Sequence, residues 1–167
     1  MPRRSSVRET VRLRLRPLQI EDLEALAAVE SDPITNRHRP AGPPSRGEVE
    51  QYLREFVQAW DEQGAGYWAV EHGGAFIGVA GLRRLAFHDR DCWNLYYRLR
   101  PDLWGRGFAS EAAREAVLFA GEQDVMLPVV ARTRPANVPA QRVAERAGLE
   151  RREDLDADGF EVFANSW

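Results

Sequence analysis

The chain contains no lysine: all 23 of its basic side chains are arginine. Schiff-base chemistry therefore has no amine to use, and a phosphate loop of the Gly-Lys-Ser/Thr type is excluded. There is one cysteine, Cys92, so no internal disulfide can form, and a single unpaired thiol suits a reducing compartment. No apolar run approaches the roughly 18 residues of a membrane span. The basic start from Met1 to Ser6 also lacks the apolar middle of a signal peptide, and a cytoplasmic protein away from membranes is expected. Positive charge is not in excess, since 26 acidic side chains against 23 basic ones give a net charge of −3. That balance lacks the footprint of a nucleic-acid binder. His88, Asp89, Asp91 and Cys92 cluster in sequence, but no second cluster completes a metal site, and a solvated turn without metal is expected. No Gly-x-Ser-x-Gly elbow occurs, and Cys92 has no recognisable histidine partner, so covalent hydrolase chemistry has no support.

What is present fits one domain: 167 residues, 44% hydrophobic and 29% charged. Residues 1–9 read as a loose amino terminus and residues 10–167 as the domain. Val11, Leu13 and Leu15 alternate with arginines in the period of a half-buried strand, ended by Pro17. A short helix follows, from Leu23 to about Ser31, and Asp32-Pro33 breaks it. Ser45 with Glu48 is a capping-box signature for a helix whose apolar face carries Val49, Leu53, Phe56 and Trp60. Strands are expected at Tyr67 to Glu71, Ala75 to Leu85 and Cys92 to Leu99, then a helix from Gly107 to about Glu122 and a strand at Val129 to Thr133. Asn137 caps a helix closed by Gly148, and two strands, Leu149 to Glu153 and Phe160 to Ala164, end the chain. This order predicts an α/β (α+β) fold with a mostly antiparallel sheet of about six to seven strands, about four helices and one parallel pair.

The segment Leu99-Arg100-Pro101-Asp102-Leu103-Trp104-Gly105-Arg106-Gly107-Phe108-Ala109-Ser110-Glu111 puts a glycine turn between a strand and a helix. Glycines admit close backbone approach, and the free amides of a helix start attract phosphate oxygens. The same residues are also compatible with a plain strand-to-helix connection. A dinucleotide fingerprint fits poorly, because Ser110 stands where its third glycine or alanine belongs.

Trp104-Gly105-Arg106-Gly107-Phe108-Ala109, opening a helix with Glu111-Ala112, resembles the pyrophosphate loop of the GNAT acyltransferase superfamily. Asn137 followed by Arg142-Val143-Ala144-Glu145-Arg146-Ala147-Gly148-Leu149 is similar to a second motif of that family. Arg12 to Pro17 and Ser31-Asp32-Pro33 resemble the opening of the branch that acetylates ribosomal-protein amino termini, the Rim-type enzymes. The likeness runs from about Thr10 to Trp167, three motifs in the family's order. It implies a GNAT fold and an N-acetyltransferase moving an acetyl group from acetyl-CoA to a primary amine, whether a protein amino terminus, an amino acid or a small amine, by direct transfer. Gly105, Arg106, Gly107, Phe108, Ala109 and Ser110 would hold the pyrophosphate, with Arg142 nearby. Leu99 and Arg100 would bind the pantetheine arm from one side and Asn137 from the other, where two strands splay. Arg37, His38 and Arg39 fall in the loop that the family places at the acceptor, where they either bind an acidic acceptor or merely solvate the loop.

The sequence departs from that branch at two positions. Asn94 stands where a carboxylate is frequent, and Ala140 where a serine is frequent; neither transfers protons. No tyrosine follows Asn137 to protonate the thiolate, although a thiol of pKa near 8.5 leaves tolerably without an acid. Asn94, holding a water or the amine, and Tyr97 are the candidates for the chemistry, and ordered water or a loop carboxylate are the other routes for the proton. The expected partners are acetyl-CoA and an amine acceptor, in a monomer or homodimer. The alternative is an acyl-CoA-binding module without turnover; a third reading gives the glycine turn to a nucleotide such as ATP or NADH.

Overall fold

The computed structural model describes residues 6–167. The strands are β1 (Arg8–Glu9), β2 (Arg14–Pro17), β3 (Tyr67–His72), β4 (Ala75–Phe87), β5 (Arg90–Leu99), β6 (Val129–Thr133), β7 (Glu150–Arg151) and β8 (Glu161–Ala164). The helices are α1 (Leu23–Glu30), α2 (Arg46–Gln63), α3 (Phe108–Gln123) and α4 (Val138–Arg146). The strands form one sheet in the order β1-β2-β3-β4-β5-β6-β8-β7, antiparallel except for β5 and β6. The mixed architecture with a single parallel pair is as expected, with eight strands rather than six or seven.

The extra strand corrects the reading of a loose amino terminus. Residues 1–5 lie outside the described part, but Arg8–Glu9 pair with Leu15 and Arg14. The Arg8 guanidinium reaches Glu115 and Glu122 on α3, at 2.6 and 3.0 Å. The same hairpin displaces the expected strand start, because the bond from Thr10 N–H to the Leu13 carbonyl makes residues 10–13 a turn. Val11 is 97% exposed there. The last two strands are also shorter than expected. Asp156 turns back to accept from the Arg151 guanidinium, at 2.6 Å, and from Val162 N–H, at 3.0 Å, so a helical turn at Glu153–Leu155 replaces ladder pairing.

Helix ends fall where local chemistry puts them. Ser45 Oγ accepts from Glu48 N–H and the Glu48 carboxylate from Ser45 N–H, at 3.2 and 2.6 Å, completing the capping box of α2. Gly64, in the left-handed region at φ +69°, closes that helix. The side-chain alternation of β3 then divides the core. Tyr67 and Ala69 meet α1 and α2 through Leu26, Val49, Leu53 and Phe56. Trp68 and Val70 meet α3 on the opposite face through Ala112, Ala116 and Phe119.

Candidate active site

Alternation along β5 determines what each of its side chains can reach. Trp93, Leu95, Tyr97 and Leu99 lie on the α3 face, whereas Tyr96 packs on the α1–α2 face, which Asn94 and Arg98 share by the same period. The parallel pairing of β5 with β6 covers only Trp93↔Val129 and Asn94↔Val130. Beyond it the two strands splay, and a cleft opens with two connected halves. One half, of about 500 Å³, is lined by Leu99, Trp104, Gly105, Gly107 to Ser110 and Asn137. The other, of about 340 Å³, lies between residues 94–98 and 131–134 under the α1–α2 connection. Tyr97, Arg98, Asn137 and Ala140 belong to both.

At the larger half, Gly105 and Gly107 have φ of +78° and +82°, a region in which an L side chain is strained. The first bond of α3 runs from Glu111 N–H to the Gly107 carbonyl, at 3.0 Å. The amides of Phe108, Ala109 and Ser110 therefore have no helix carbonyl to donate to, and Gly107 has no side chain to cap them. These donors, with the positive end of the helix dipole, form an anion site at the cleft. Arg37, Arg98, Arg142 and Arg146 also line this half.

The turn is clamped from below by the segment leading into β2. The Glu111 carboxylate accepts from Thr10 Oγ1 at 2.6 Å, Arg12 N–H at 2.8 Å and Arg12 Nε at 2.7 Å. Burial opposes its charge, but these donors prevail and hold the carboxyl below its usual range. Arg12 Nη1 donates to the Arg106 carbonyl at 2.8 Å, and its guanidinium lies 4.3 Å from the centre of the Phe108 ring. One arginine thus ties the carbonyl before Gly107 to the first turn of the helix after it.

The expected cofactor residues do not all come together. Leu99, Gly105, Gly107, Phe108, Ala109, Ser110, Asn137 and Arg142 line the larger half; Arg100 and Arg106 do not. Arg100 folds back on Asp102, with bonds of 3.2 and 2.8 Å. The Leu99 carbonyl accepts from the Trp104 indole at 2.9 Å. Asn137 Oδ1 is occupied with the Ala140 amide, at 3.3 Å, as the cap of α4.

The two residues expected to carry chemistry sit in different settings. Asn94 lines the smaller half and donates to the Tyr67 hydroxyl at 3.1 Å. Burial pushes the Tyr67 phenol up to about 12. The Tyr97 hydroxyl donates to the Ala140 carbonyl at 2.5 Å, stitching β5 to α4 across the splay, and burial raises its pKa well above the ordinary value. Both phenols keep their protons at neutral pH. Cys92 lies on the other side of β5 from Tyr97, buried among Phe87, Val130 and Val162, and burial drives its thiol up to about 11.

A buried polar group beside the cleft escaped the sequence reading. Glu30, 5% exposed, accepts from the Tyr96 hydroxyl at 2.8 Å and lies 3.4 Å from the Arg98 guanidinium, which also donates to Asn36 at 3.0 Å. Burial raises the Glu30 carboxyl, and Arg98, Tyr96 and Arg39 offset part of that rise. The signal was available: Glu30 follows Leu23 and Leu26 at helical spacing and so falls on the apolar face of α1.

Comparison with known proteins agrees with this architecture. A family model for the acetyltransferase (GNAT) domain matches residues 12–150. A curated relative from Aspergillus fumigatus, FsC-acetyl coenzyme A-N(2)-transacetylase, is 27% identical over 148 residues, 84% of this chain; the chain spans 63% of that relative's length. A crystal structure of an acetyltransferase from Agrobacterium tumefaciens superposes with a TM-score of 0.84 at 24% identity, covering 98% of this chain and 96% of that one. The ribosomal-protein alpha-N-acetyltransferase RimL, in complex with coenzyme A, superposes with a TM-score of 0.71 at 16% identity, covering 93% and 94%.

Proposed function

Since this chain belongs to the GNAT acetyltransferase family, we propose that it transfers an acetyl group from acetyl-CoA to the nitrogen of a primary amine. The observation that carries this is the run of unpaired amides from Phe108 to Ser110, opening onto a cleft where β5 and β6 part. A pyrophosphate accepts from those amides, flanked by Arg142 and Arg146, and the pantetheine arm runs past Tyr97 and Leu99 toward the smaller half. Arg106 stays outside the cleft, its carbonyl held by Arg12, and Arg100 reaches the pantetheine arm only if it leaves Asp102. Asn137 borders the arm from α4. One domain, which takes in the Arg8–Glu9 strand, carries the activity, as a monomer or a homodimer.

The reaction is a direct aminolysis. The neutral amine attacks the thioester carbonyl, the C–N bond forms, the C–S bond breaks, and the sulfur leaves as coenzyme A thiolate while the nitrogen sheds a proton. Asn94 holds the amine or a water on the acceptor side. Tyr97 keeps its proton and spends it on the Ala140 carbonyl, so it shapes the thioester path and is no base. The attacking nitrogen loses its proton to water, since among the described residues no aspartate or glutamate lines either half of the cleft. Alignment in such a cleft supplies up to roughly 7–11 kcal/mol in well-oriented systems. The missing carboxylate also favours the second reading, an acyl-CoA-binding module without turnover.

Thermal unfolding with acetyl-CoA, coenzyme A, ATP and NADH in separate samples tests the cofactor. A ligand at 100 times its dissociation constant adds about 2.7 kcal/mol, which raises Tm by about 5–10 °C. A shift with the coenzyme A ligands alone is expected, and no shift with them overturns the reading. Thiol release with any amine then removes the binding-module alternative.

A further inference from the structure

The smaller half of the cleft carries more positive charge than the described residues pair off, with Glu30 the one carboxylate acting on it, against Arg98 and, more weakly, Arg39. Arg39 enters it from the α1–α2 connection, Arg98 from β5, and Arg132 and Arg134 from β6 and its end, and no aspartate or glutamate lines it. Arg98 is already engaged by Glu30 and Asn36. The other three form no salt bridge among the described residues. Two of them are braced by an aromatic ring: the Arg134 guanidinium stacks 3.9 Å from the centre of Phe160, and that of Arg132 lies 5.5 Å from the same ring. Stacking holds a guanidinium by its face; Arg134 Nη1 also donates to the Asp158 carbonyl at 3.4 Å, and its remaining edge donors are left for a planar anion. Between these two arginines, Thr133 is 5% exposed, and its buried hydroxyl has no hydrogen-bond partner. A buried hydroxyl left unpaired costs stability unless something arrives to meet it.

From these features we infer that the acceptor is an anionic amine, a primary amine with carboxylate or phosphate groups close to its nitrogen, whose negative charge is held by Arg39, Arg132 and Arg134. This rests on the acetyl-transfer reading and narrows it to one substrate class. The same charges bear on reactivity. A cationic wall disfavours the ammonium form of a bound amine and the acceptor's own anion offsets part of that effect, so the arginines act chiefly as the anchor. The anionic group supplies the anchorage that a bare ammonium in this cleft lacks. A polycationic acceptor would meet repulsion and gain no counter-charge.

The test uses protein saturated with acetyl-CoA and two tripeptide amides with serine first, one continued by two aspartates and the other by two arginines, with free glutamate as a third acceptor. The acidic peptide should exceed the basic one in kcat/KM by about tenfold or more, and raising salt from about 0.05 to 0.5 M should shrink that ratio. Glutamate turnover above that of the acidic peptide would identify a small amine as the source of the charge, and the reverse a peptide terminus. The substitutions Arg132→Gln and Arg134→Gln together should raise KM for the acidic acceptor more than they lower kcat. Arg54→Gln, on the exposed side of α2 beside Glu50, should leave both unchanged. Equal rates for the two peptides, a basic preference or an unchanged KM in the double variant overturns the inference. Should no acceptor turn over, calorimetry with the same peptides decides the charge preference by binding, and failure of the acidic peptide to bind overturns it. Failure of acetyl-CoA itself to bind is a separate result, read in the same calorimeter, and removes the reading beneath it.

Discussion

The clamp beneath the glycine turn and the wall of the smaller half use arginine in different ways. At the glycine turn, Arg12 is consumed by the fold, with two nitrogens on Glu111, one on the Arg106 carbonyl and its face near Phe108. Under the α1–α2 connection, Arg39, Arg132 and Arg134 line the wall and form no salt bridge among the described residues. Charge that is paired inside the chain fixes a backbone shape; charge left unpaired in a concave wall is available to a ligand. The same side chain thus braces the glycine turn and lines the smaller half of the cleft.

The most damaging way to break this contrast is to put a charge into the turn. Gly107→Glu places a side chain where φ is +82° and a Cβ would sit 3.3 Å from Arg12 Nη2. It also sets a carboxylate against the amides meant for phosphate. Coenzyme A affinity should fall by about 100-fold or more, roughly 2.7 kcal/mol, by calorimetry on protein shown to be folded by circular dichroism; unchanged affinity would sink the cradle assignment. Next in size, Glu111→Ala releases Arg12 and Thr10 together and should cost about 2–3 kcal/mol in urea unfolding. Coenzyme A should bind more weakly in that variant as well, because the turn loses its clamp. A stability loss with intact cofactor affinity would show that the clamp serves only the fold.

The acid titration sharpens the same point. The folded Glu111 carboxyl lies below its unfolded value, so its contribution is present above the unfolded pKa and disappears as pH falls through the lower folded one. The stability gap between the native chain and Glu111→Gln should therefore be full at pH 7 and close below about pH 4. A gap constant from pH 7 to 3 would mean that the clamp is not ionic. The smallest effect is expected at the stitch between the halves. Tyr97→Phe removes one hydrogen bond to the Ala140 carbonyl, costing about 1 kcal/mol. Its pH–rate profile should keep the native shape if the phenol stays protonated through catalysis, and a lost limb would restore Tyr97 as an acid–base group.

How much of this was legible follows from how far apart the partners are in sequence. The capping box Ser45–Glu48, the glycine turn before α3 and the Asn137 cap are local, and they appear where the residues said they would. The pairings that give the arginines their roles are not local: Arg12 meets Glu111 across 99 positions and Arg98 meets Asn36 across 62. No periodicity reports on such contacts, so the sequence did not show that Arg100, expected at the pantetheine arm, and Arg106, expected at the pyrophosphate, stay out of the cleft while Arg98 and Arg146 line it. Val11 shows the converse, a side chain in strand rhythm that a hairpin turn lifts into solvent.

Trp104 adds a practical consequence. It is 40% exposed, lines the larger half beside Gly105, is anchored through its indole to the Leu99 carbonyl and carries Arg37 5.3 Å above its ring. Of the other four indoles, Trp68 and Trp93 are buried, while Trp60 and Trp167 are partly covered and do not line the cleft. The protein therefore contains its own optical reporter: filling the cleft should change the emission of one tryptophan while the other four stay constant, so that cofactor loading can be followed by fluorescence without any label.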